Sequence, residues 1–355
     1  MVPAHSDTRV RKTQDITPTT ASDWDAPFAG QPQFGIFHSA AWSAVLNRTY
    51  GFRPVYFSTN NGNEIPALLP LMEVSSRLTG KRGISLPFTD FCEPLGTAAE
   101  RKSLFENALQ LGRKNGWKYL ECRAEPKNFG LSDAWPSLSF YGHALEIAED
   151  ANRLFAGFKP SVQRAVRKAE RSGLIVEIST KPDAVREYYS LHCQTRKRHG
   201  LPPQPFRFFR NIHEEIIARG MGFVISAKVK NRVAASAIFF HYGAKAIYKF
   251  GASDPALLDF RANNLVMWEA IQWCARAGKK TLDFGRTSLA NEGLRRFKLG
   301  WGAVEHRINY FKYDFQKNTF VTDRDEVYGW HNRVFHVMPT SAARLVGALL
   351  YKHIA

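Results

Sequence analysis

The chain has 355 residues, 44% of them hydrophobic and 13% aromatic, and carries a formal net charge of +17. This composition excludes a mainly disordered chain, and the length predicts two domains in preference to one. The charge predicts either an anionic partner (RNA, phospholipid headgroups or a nucleotide-linked substrate) or a basic solvated surface, and does not choose among them.

Residues 1–30, rich in Ser, Thr, Asp and Pro, predict a flexible leader. Ordered structure is expected from about Phe34, with a short helix at Ala40–Leu46. Strands follow at Arg53–Ser58 and Ile65–Val74, separated by Asn61-Gly62, a dipeptide that favours hairpin turns because it takes positive φ. Leu104, Phe105, Ala108, Leu109 and Leu111 give Thr97–Asn115 an apolar helical face, and Gly116 stops it. Strands at Trp117–Arg123 and Tyr141–Ile147 complete a first mixed domain, 31–150.

The alternation repeats in 151–330. A basic helix over Ser161–Arg171 ends at Gly173, followed by a strand at Leu174–Ile178 and a helix at Asp183–Cys193. Beyond the proline-rich turn at Leu201–Pro205, a helix is expected over Phe206–Ala218. Phe223–Val229 and Val233–Phe240 pair around Lys230-Asn231-Arg232, with Ala246–Ser253 as a third strand. A helix over Asn264–Ala277, stopped by Gly278, leads to a strand at Thr281–Phe284. In the tail, 331–355, Ala343, Val346, Leu350 and Ile354 share one helical side beside Arg344 and Lys352. Peripheral membrane contact through residues 337–355 and packing on the body both fit that pattern. The order lacks a strict βαβ rhythm and predicts an α/β (α+β) class with two related mixed-sheet domains.

Cys92, Cys122, Cys193 and Cys274 form no CxxC pair, which reads as reduced thiols and not as a disulfide framework or a zinc module. No apolar run approaches the ~20 residues of a membrane span, and the polar N-terminal segment lacks a signal-peptide core. The expected location is the cytoplasm, or peripherally the inner face of its membrane. Oligomeric state leaves no signal.

The densest chemical signal is Leu282-Asp283-Phe284-Gly285-Arg286-Thr287 with Gly293-Leu294-Arg295-Arg296-Phe297-Lys298-Leu299-Gly300-Trp301-Gly302. A strand ends in an acid and a base, and a compact basic-aromatic segment follows. Gly300 and Gly302 imply tight backbone geometry or close ligand approach, because Gly costs roughly 0.5–1 kcal/mol relative to Ala in a regular element. With Arg164–Leu174, Tyr248–Ser253 and Asn264–Ala270, these segments resemble the Fem-type aminoacyltransferase family, within the GNAT acyltransferase-like superfamily, over Ser161–Tyr313. The resemblance implies two GNAT-like domains in tandem, with substrates at their junction and transfer of an aminoacyl or acyl group to an amine. It is strongest to a branch associated with exopolysaccharide and exported-protein sorting, which implies an envelope or exopolysaccharide-related acceptor. The long helical hairpin of some tRNA-using members is not evident, so acyl-CoA stands beside aminoacyl-tRNA as the donor, with no tightly bound cofactor.

Lys298 matches the family's motif lysine and is assigned to the reaction centre, with a structural salt bridge as the alternative. Asp283 either contacts the acceptor ammonium and relays its proton or locks the strand end with Arg286. Arg286 suits bidentate anion recognition, and Arg296 is grouped with it. The resemblance puts Tyr248, Lys249 and Ser253 along a cleft; strand alternation sends Tyr248 and Phe250 to one face and Lys249 to the other, leaving a core role for Tyr248 open. Arg164, Arg167, Lys168 and Arg171 share one helical face that either grips a pyrophosphate or tRNA backbone or is solvated. Asn263 and Asn264 stand where an amide caps a helix and free N–H groups hold an anion, and Arg123 is a weaker candidate. A Cys193–histidine acyl-enzyme is disfavoured because adjacent helix residues diverge, and His192, His199 and His213 lack a metal-ligand pattern. The rival function is a noncatalytic anion-binding module for RNA or a nucleotide-linked sugar.

Overall fold

The computed structural model describes residues 13–16, 24–28, 30–59, 67–131, 134–148, 150–323 and 330–354. β1 (Thr13–Ile16) precedes α1 (Ala40–Tyr50), which Ser39 caps by accepting from the Trp42 amide and which Gly51 ends at φ 72°. Next come β2 (Arg53–Pro54), β3 (Tyr56–Thr59), β4 (Leu68–Leu69), β5 (Met72–Ser76) and β6 (Gly80–Ser85). α2 (Ala98–Asn115) opens on a reciprocal Thr97–Glu100 capping box and closes at Gly116, φ 68°. β7 (Tyr119–Cys122), β8 (Leu138–Glu146), α3 (Ala151–Gly157), α4 (Pro160–Glu170) and β9 (Ile175–Ser179) lead to α5 (Pro182–Arg198) and α6 (Phe206–Ile212). β10 (Gly222–Val229) and β11 (Arg232–Tyr242) are joined by Lys230 and Asn231 at φ 46° and 60°, the left-handed pair that matches hairpin twist. β12 (Lys245–Ser253), α7 (Ala262–Arg276), β13 (Thr281–Asp283), β14 (Thr287–Ser288), α8 (Glu292–Leu299), β15 (Val304–Asp314), β16 (Thr319–Val321), α9 (Trp330–Val337) and α10 (Thr340–Leu350) complete the chain.

The described residues form a small sheet, β1-β3-β4, and one large sheet in the order β2-β5-β6-β7-β15-β8-β13-β12-β11-β10-β9. β15 is the hinge of this arrangement. Its first part, Val304–Tyr310, pairs with β8; its last part, Phe311–Asp314, pairs with β7. Around the division expected near residue 150, β8 pairs with β13 of the C-terminal half, and the late strand β15 pairs with β7 of the N-terminal half. Apolar cores lie under α2, under α1 with α5 and α6, and, on the opposite sheet face, under α4 and α7.

The leader is corrected where it is described. β1 pairs with β3, and Trp24 and Phe28 are only 6% and 3% exposed, because aromatic side chains in a polar segment still seek the core. Asn61-Gly62 and the start of the strand expected at Ile65 lie outside the described residues. The rest of that strand splits into β4 and β5 around Pro70, whose missing amide interrupts a ladder.

The tail packs on the body. Ala343 and Gly347 are buried, Tyr351 accepts from Arg196 Nη2 at 2.8 Å and donates to the Pro202 carbonyl at 3.1 Å, and the His353 carbonyl accepts from Arg82 at 2.7 Å. Gly347 is required by contact: a Cβ there would stand 2.0 Å from the Pro203 carbonyl oxygen. Gly347→Ala is accordingly expected to lift α10 and cost about 1–3 kcal/mol. Thermal unfolding should show a lower midpoint, and an unchanged midpoint would remove the docking role.

Candidate functional site

β12 and β13 run parallel only over Lys245–Ile247 and Thr281–Asp283. Beyond that point β12 continues to Ser253, while the chain after β13 turns at Gly285 (φ 69°) to join β8 as β14. The fork opens a cleft of about 390 Å³ between β12, the start of α7, the end of α5 and the inner side of α8. Tyr248, Lys249, Ser253, Asn263, Arg286 and Lys298, all singled out in the sequence, line it.

A β-bulge sets the side-chain directions. Ile238 pairs with Phe250 and Phe239 with Tyr248, so Lys249 is the extra residue without a partner on β11. Tyr248 consequently packs on the α4–α7 side and Phe250 on the α1–α6 side, which corrects the simple alternation expected for them. Gly251 makes the Tyr248 pose possible, since a Cβ there would fall 1.7 Å from its hydroxyl. Burial pushes that phenol up to about 12, so it stays protonated at neutral pH.

Lys249 turns inward, its side chain 5% exposed, among the rings of Phe37, Trp42 and Phe250. Its Nζ donates to Asp90 Oδ2 at 2.5 Å, and Asp90 Oδ1 accepts from the Arg286 amide at 3.3 Å. Burial opposes ionisation of Asp90, but Lys249 and Arg286 hold its carboxyl below the usual range. Burial depresses the Lys249 ammonium more than Asp90 restores it. The Asp90 loop is fixed in turn: Tyr310 donates to the Asp90 carbonyl at 2.6 Å, Arg123 donates to the Thr89 carbonyl at 3.0 Å, and Phe88 sits at φ 62°. Arg123 thus supports the site without lining the cleft. Arg286 spreads its guanidinium 4.4 Å from the Phe140 ring centroid and donates to the Tyr310 hydroxyl at 3.0 Å, yet keeps a surface open to the cleft.

Lys298 is 2% exposed, and its Nζ donates to the carbonyls of Gly285 (2.8 Å) and Arg286 (3.2 Å). Burial lowers its pKa to about 8, against the opposing pull of Asp90 and Asp283. Asp283 accepts from the Gly285 amide at 2.6 Å; burial raises its pKa to about 7, despite that bond. The two groups therefore hold opposite ends of Gly285. Asp283 does not line the cleft: it faces a second cavity of about 190 Å³ on the α1 side of the sheet.

Other candidates fall elsewhere. Arg296 projects from α8 as an exposed residue outside the cleft, because Lys298 takes the inward position of that helix. Arg164, Arg167, Lys168 and Arg171 do share an exposed face, but it is the outer face of α4, opposite buried Val162, Val166 and Ala169 and away from the cleft. Asn264 lines only a small side cavity beside Ser253, and neither asparagine caps α7; its N-cap is Arg261 at φ 56°, with no side-chain cap bond, and the Asn264 amide donates to the Arg261 carbonyl at 2.9 Å. Gly300 and Gly302 serve packing and turning, not ligand approach: a Cβ on Gly300 would meet Val162 at 2.7 Å, and Gly302 has φ 72°. Cys193 is buried with its thiol pushed up, and His192 is held neutral by burial with Nδ1 on the Tyr188 hydroxyl, so the pair has no nucleophile–base contact. Among the described residues no His, Cys, Asp and Glu group could hold a metal. No described helix is long and apolar enough to cross a membrane.

Asp90 is the principal residue missed from sequence. Its signal, Pro87-Phe88-Thr89-Asp90-Phe91, has no chemical spacing to Lys249 and becomes meaningful only through the fold. Thr195, Arg198 and His199 also reach the cleft because α5 runs past Cys193 to Arg198, and Thr195 Oγ1 accepts from the Ser253 amide at 3.3 Å.

The acetyltransferase (GNAT) domain family matches residues 157–308. Among solved structures, the crystal structure of FemX superposes with a TM-score of 0.67 at 14% identity, covering 86% of this chain and 98% of that one. The C-terminal domain of a putative lysylphosphatidylglycerol synthetase from Agrobacterium fabrum gives 0.54 at 14% identity, covering 87% and 91%. A tandem GNAT protein from the clavulanic acid biosynthesis pathway gives 0.52 at 11%, covering 77% and 87%. No curated protein sequence matches the chain. The fold is thus mixed α/β with a GNAT acetyltransferase domain in a large composite sheet, FemX-like and of the acyltransferase type.

Removing one partner of the buried Asp90–Lys249 pair leaves an uncompensated charge. Asp90→Leu is expected to cost about 3–5 kcal/mol, and Asp90→Leu with Lys249→Met to recover much of it. Chemical denaturation of both variants checks this; equal loss in single and double variants would deny the coupling.

Proposed function

We propose that this protein is an N-acyltransferase that moves an aminoacyl or acyl group from an activated ester or thioester onto an amine. The observation that carries this reading is Gly285: its carbonyl accepts from Lys298 at the cleft, and its amide donates to Asp283 on the other side. The donor's reactive carbonyl lies in the forked cleft. Two of the three Lys298 ammonium protons are used on backbone carbonyls, and the third stabilises negative charge on the acyl oxygen. Asp283 takes the proton that the acceptor ammonium must lose before attack, a task for which a pKa near 7 is well matched. Arg286, with Arg198 and Asn263 at the same cleft, binds the donor's anionic portion. The donor is an acyl-CoA or an aminoacyl-tRNA, and the uncapped first turn of α7 offers its amides to a phosphate of either.

We place the reaction in the cytoplasm beside the membrane, during envelope or exopolysaccharide assembly. α10 docks by one side only, and Val337, Leu345 and Leu349 remain 81%, 65% and 57% exposed near Arg344 and Lys352. Arg196, which holds Tyr351, belongs to the same helix end as Arg198 and His199 of the cleft. Contact with an anionic bilayer through this face sets the cleft close to the lipid surface. The exposed basic face of α4 favours a second reading, noncatalytic capture of RNA.

Mass measurement of the group added to an amine, with acyl-CoAs and charged tRNAs compared as donors, separates these readings. Binding without a new amide across the donors supports the RNA-binding alternative. Lys298→Ala should lower kcat by about 10²–10³ with the fold retained. In the wild type, kcat/KM should rise as Asp283 deprotonates through about 7 and fall as Lys298 loses its proton through about 8, with Asp90 and Lys249 coupled to both. Undiminished turnover by Lys298→Ala removes the lysine from the chemistry. For the membrane face, Leu345→Glu with Leu349→Glu should abolish co-sedimentation with phosphatidylglycerol vesicles while the protein stays folded; retained co-sedimentation counts against it.

A further inference from the structure

The second cavity has walls of Ile36, Phe37, Phe91, Phe240 and Ile247, with Ala144 of β8 beside them. Its charged side chains are Asp283, partly buried in the wall, and Lys245, exposed at the rim where solvent screens it. His38, also on the wall, is already engaged: Nε2 donates to the Glu93 carbonyl at 2.7 Å, and Nδ1 accepts from the Gly35 amide at 3.2 Å. Asp283 has no ion-pair partner among the described residues, although its carboxylate faces an apolar space. Lys298, Lys249 and Lys245 act on it only through space, so the carboxylate is left open to a direct cation partner from a ligand. The cavity adjoins the cleft. The Phe37 ring centroid of the cavity lies 5.1 Å from Lys249 Nζ of the cleft, and the consecutive residues Asp90 and Phe91 line the cleft and the cavity respectively.

We propose that this cavity receives the acceptor, a primary amine borne on an aromatic ring or short alkyl chain, with its ammonium against the Asp283 carboxylate. The proposal rests on the transferase reading and adds the acceptor's chemical class. The space of about 190 Å³ is walled mainly by aromatic and aliphatic side chains, which favour a ring or short alkyl body over a polar sugar. The apolar walls select the body, and the single carboxylate selects the amine. In the transfer, Asp283 removes one proton from the ammonium. The free amine nitrogen bonds to the acyl carbon, the carbon–oxygen or carbon–sulfur bond to the donor breaks, and the leaving group takes up the second proton that nitrogen sheds.

Equilibrium titration of the full-length protein with 2-phenylethylamine, 2-phenylethanol and glucosamine tests this without a donor. Phenylethylamine should bind at least about tenfold more tightly than glucosamine, and Ala144→Phe, which fills the space, should weaken it about tenfold or more. Asp283→Asn should weaken phenylethylamine to a similar degree and leave phenylethanol unchanged; this variant alters no volume and stands if Ala144→Phe fails to fold. Equal binding of glucosamine, or an Asp283→Asn effect shared by the alcohol, overturns the proposal. The two readings fail separately: selective amine binding with no transfer from any donor sinks the transferase, whereas transfer to glucosamine undiminished by Ala144→Phe sinks the cavity assignment alone.

Discussion

The buried ion pair between Asp90 and Lys249 is the constraint on which the site depends. Asp90 comes from a loop of the N-terminal half and Lys249 from the central strand of the C-terminal half, and each carries a charge that burial penalises. Neither group is tolerable there without the other. The pair therefore fixes how the two halves meet. The same carboxylate receives the Arg286 amide, so the turn that presents Arg286 and Gly285 is set by it as well. A second tie runs through Tyr310 of β15, which donates to the Asp90 carbonyl and accepts from Arg286. The positions of Lys298 and Asp283 follow, since both bond to Gly285.

A wall of side chains divides the site into two spaces of different character. The cleft gathers Arg198, Arg286 and Lys298 and suits an anionic donor; the cavity is apolar and presents a carboxylate. On the proposed reading, that separation would let each reactant be recognised by its own chemistry while the reacting ends approach one glycine. Alignment of this kind can supply a large part of the acceleration in an acyl transfer without a protein nucleophile. Cys193 and His192, each buried and turned to tyrosines, agree with such a route.

Much of the fold was legible where the signal is local. The apolar face over Thr97–Asn115 and the Gly116 stop bounded α2 to within a residue, and Lys230-Asn231 marked the β10–β11 hairpin because its geometry lies in two dihedrals. What failed depends on distant partners. β15 was not anticipated: its pattern serves two neighbours along its length and so lacks one clean alternation. The bulge at Lys249 put Tyr248 and Phe250 on opposite faces, and a register shift is set across strands. Six of the cleft residues were named in advance, but Arg296 and the α4 cations show that charge spacing gives a shared face without saying what the face looks upon. Asp90 had no motif to announce it.

The double pairing of β15 bears on how the chain comes to be folded at all. The N-terminal half holds an open seat beside β7 that is filled only by Phe311–Asp314, far downstream in the chain. During synthesis that half keeps a bare strand edge until β15 has emerged. Translation order and structural order are thus opposed.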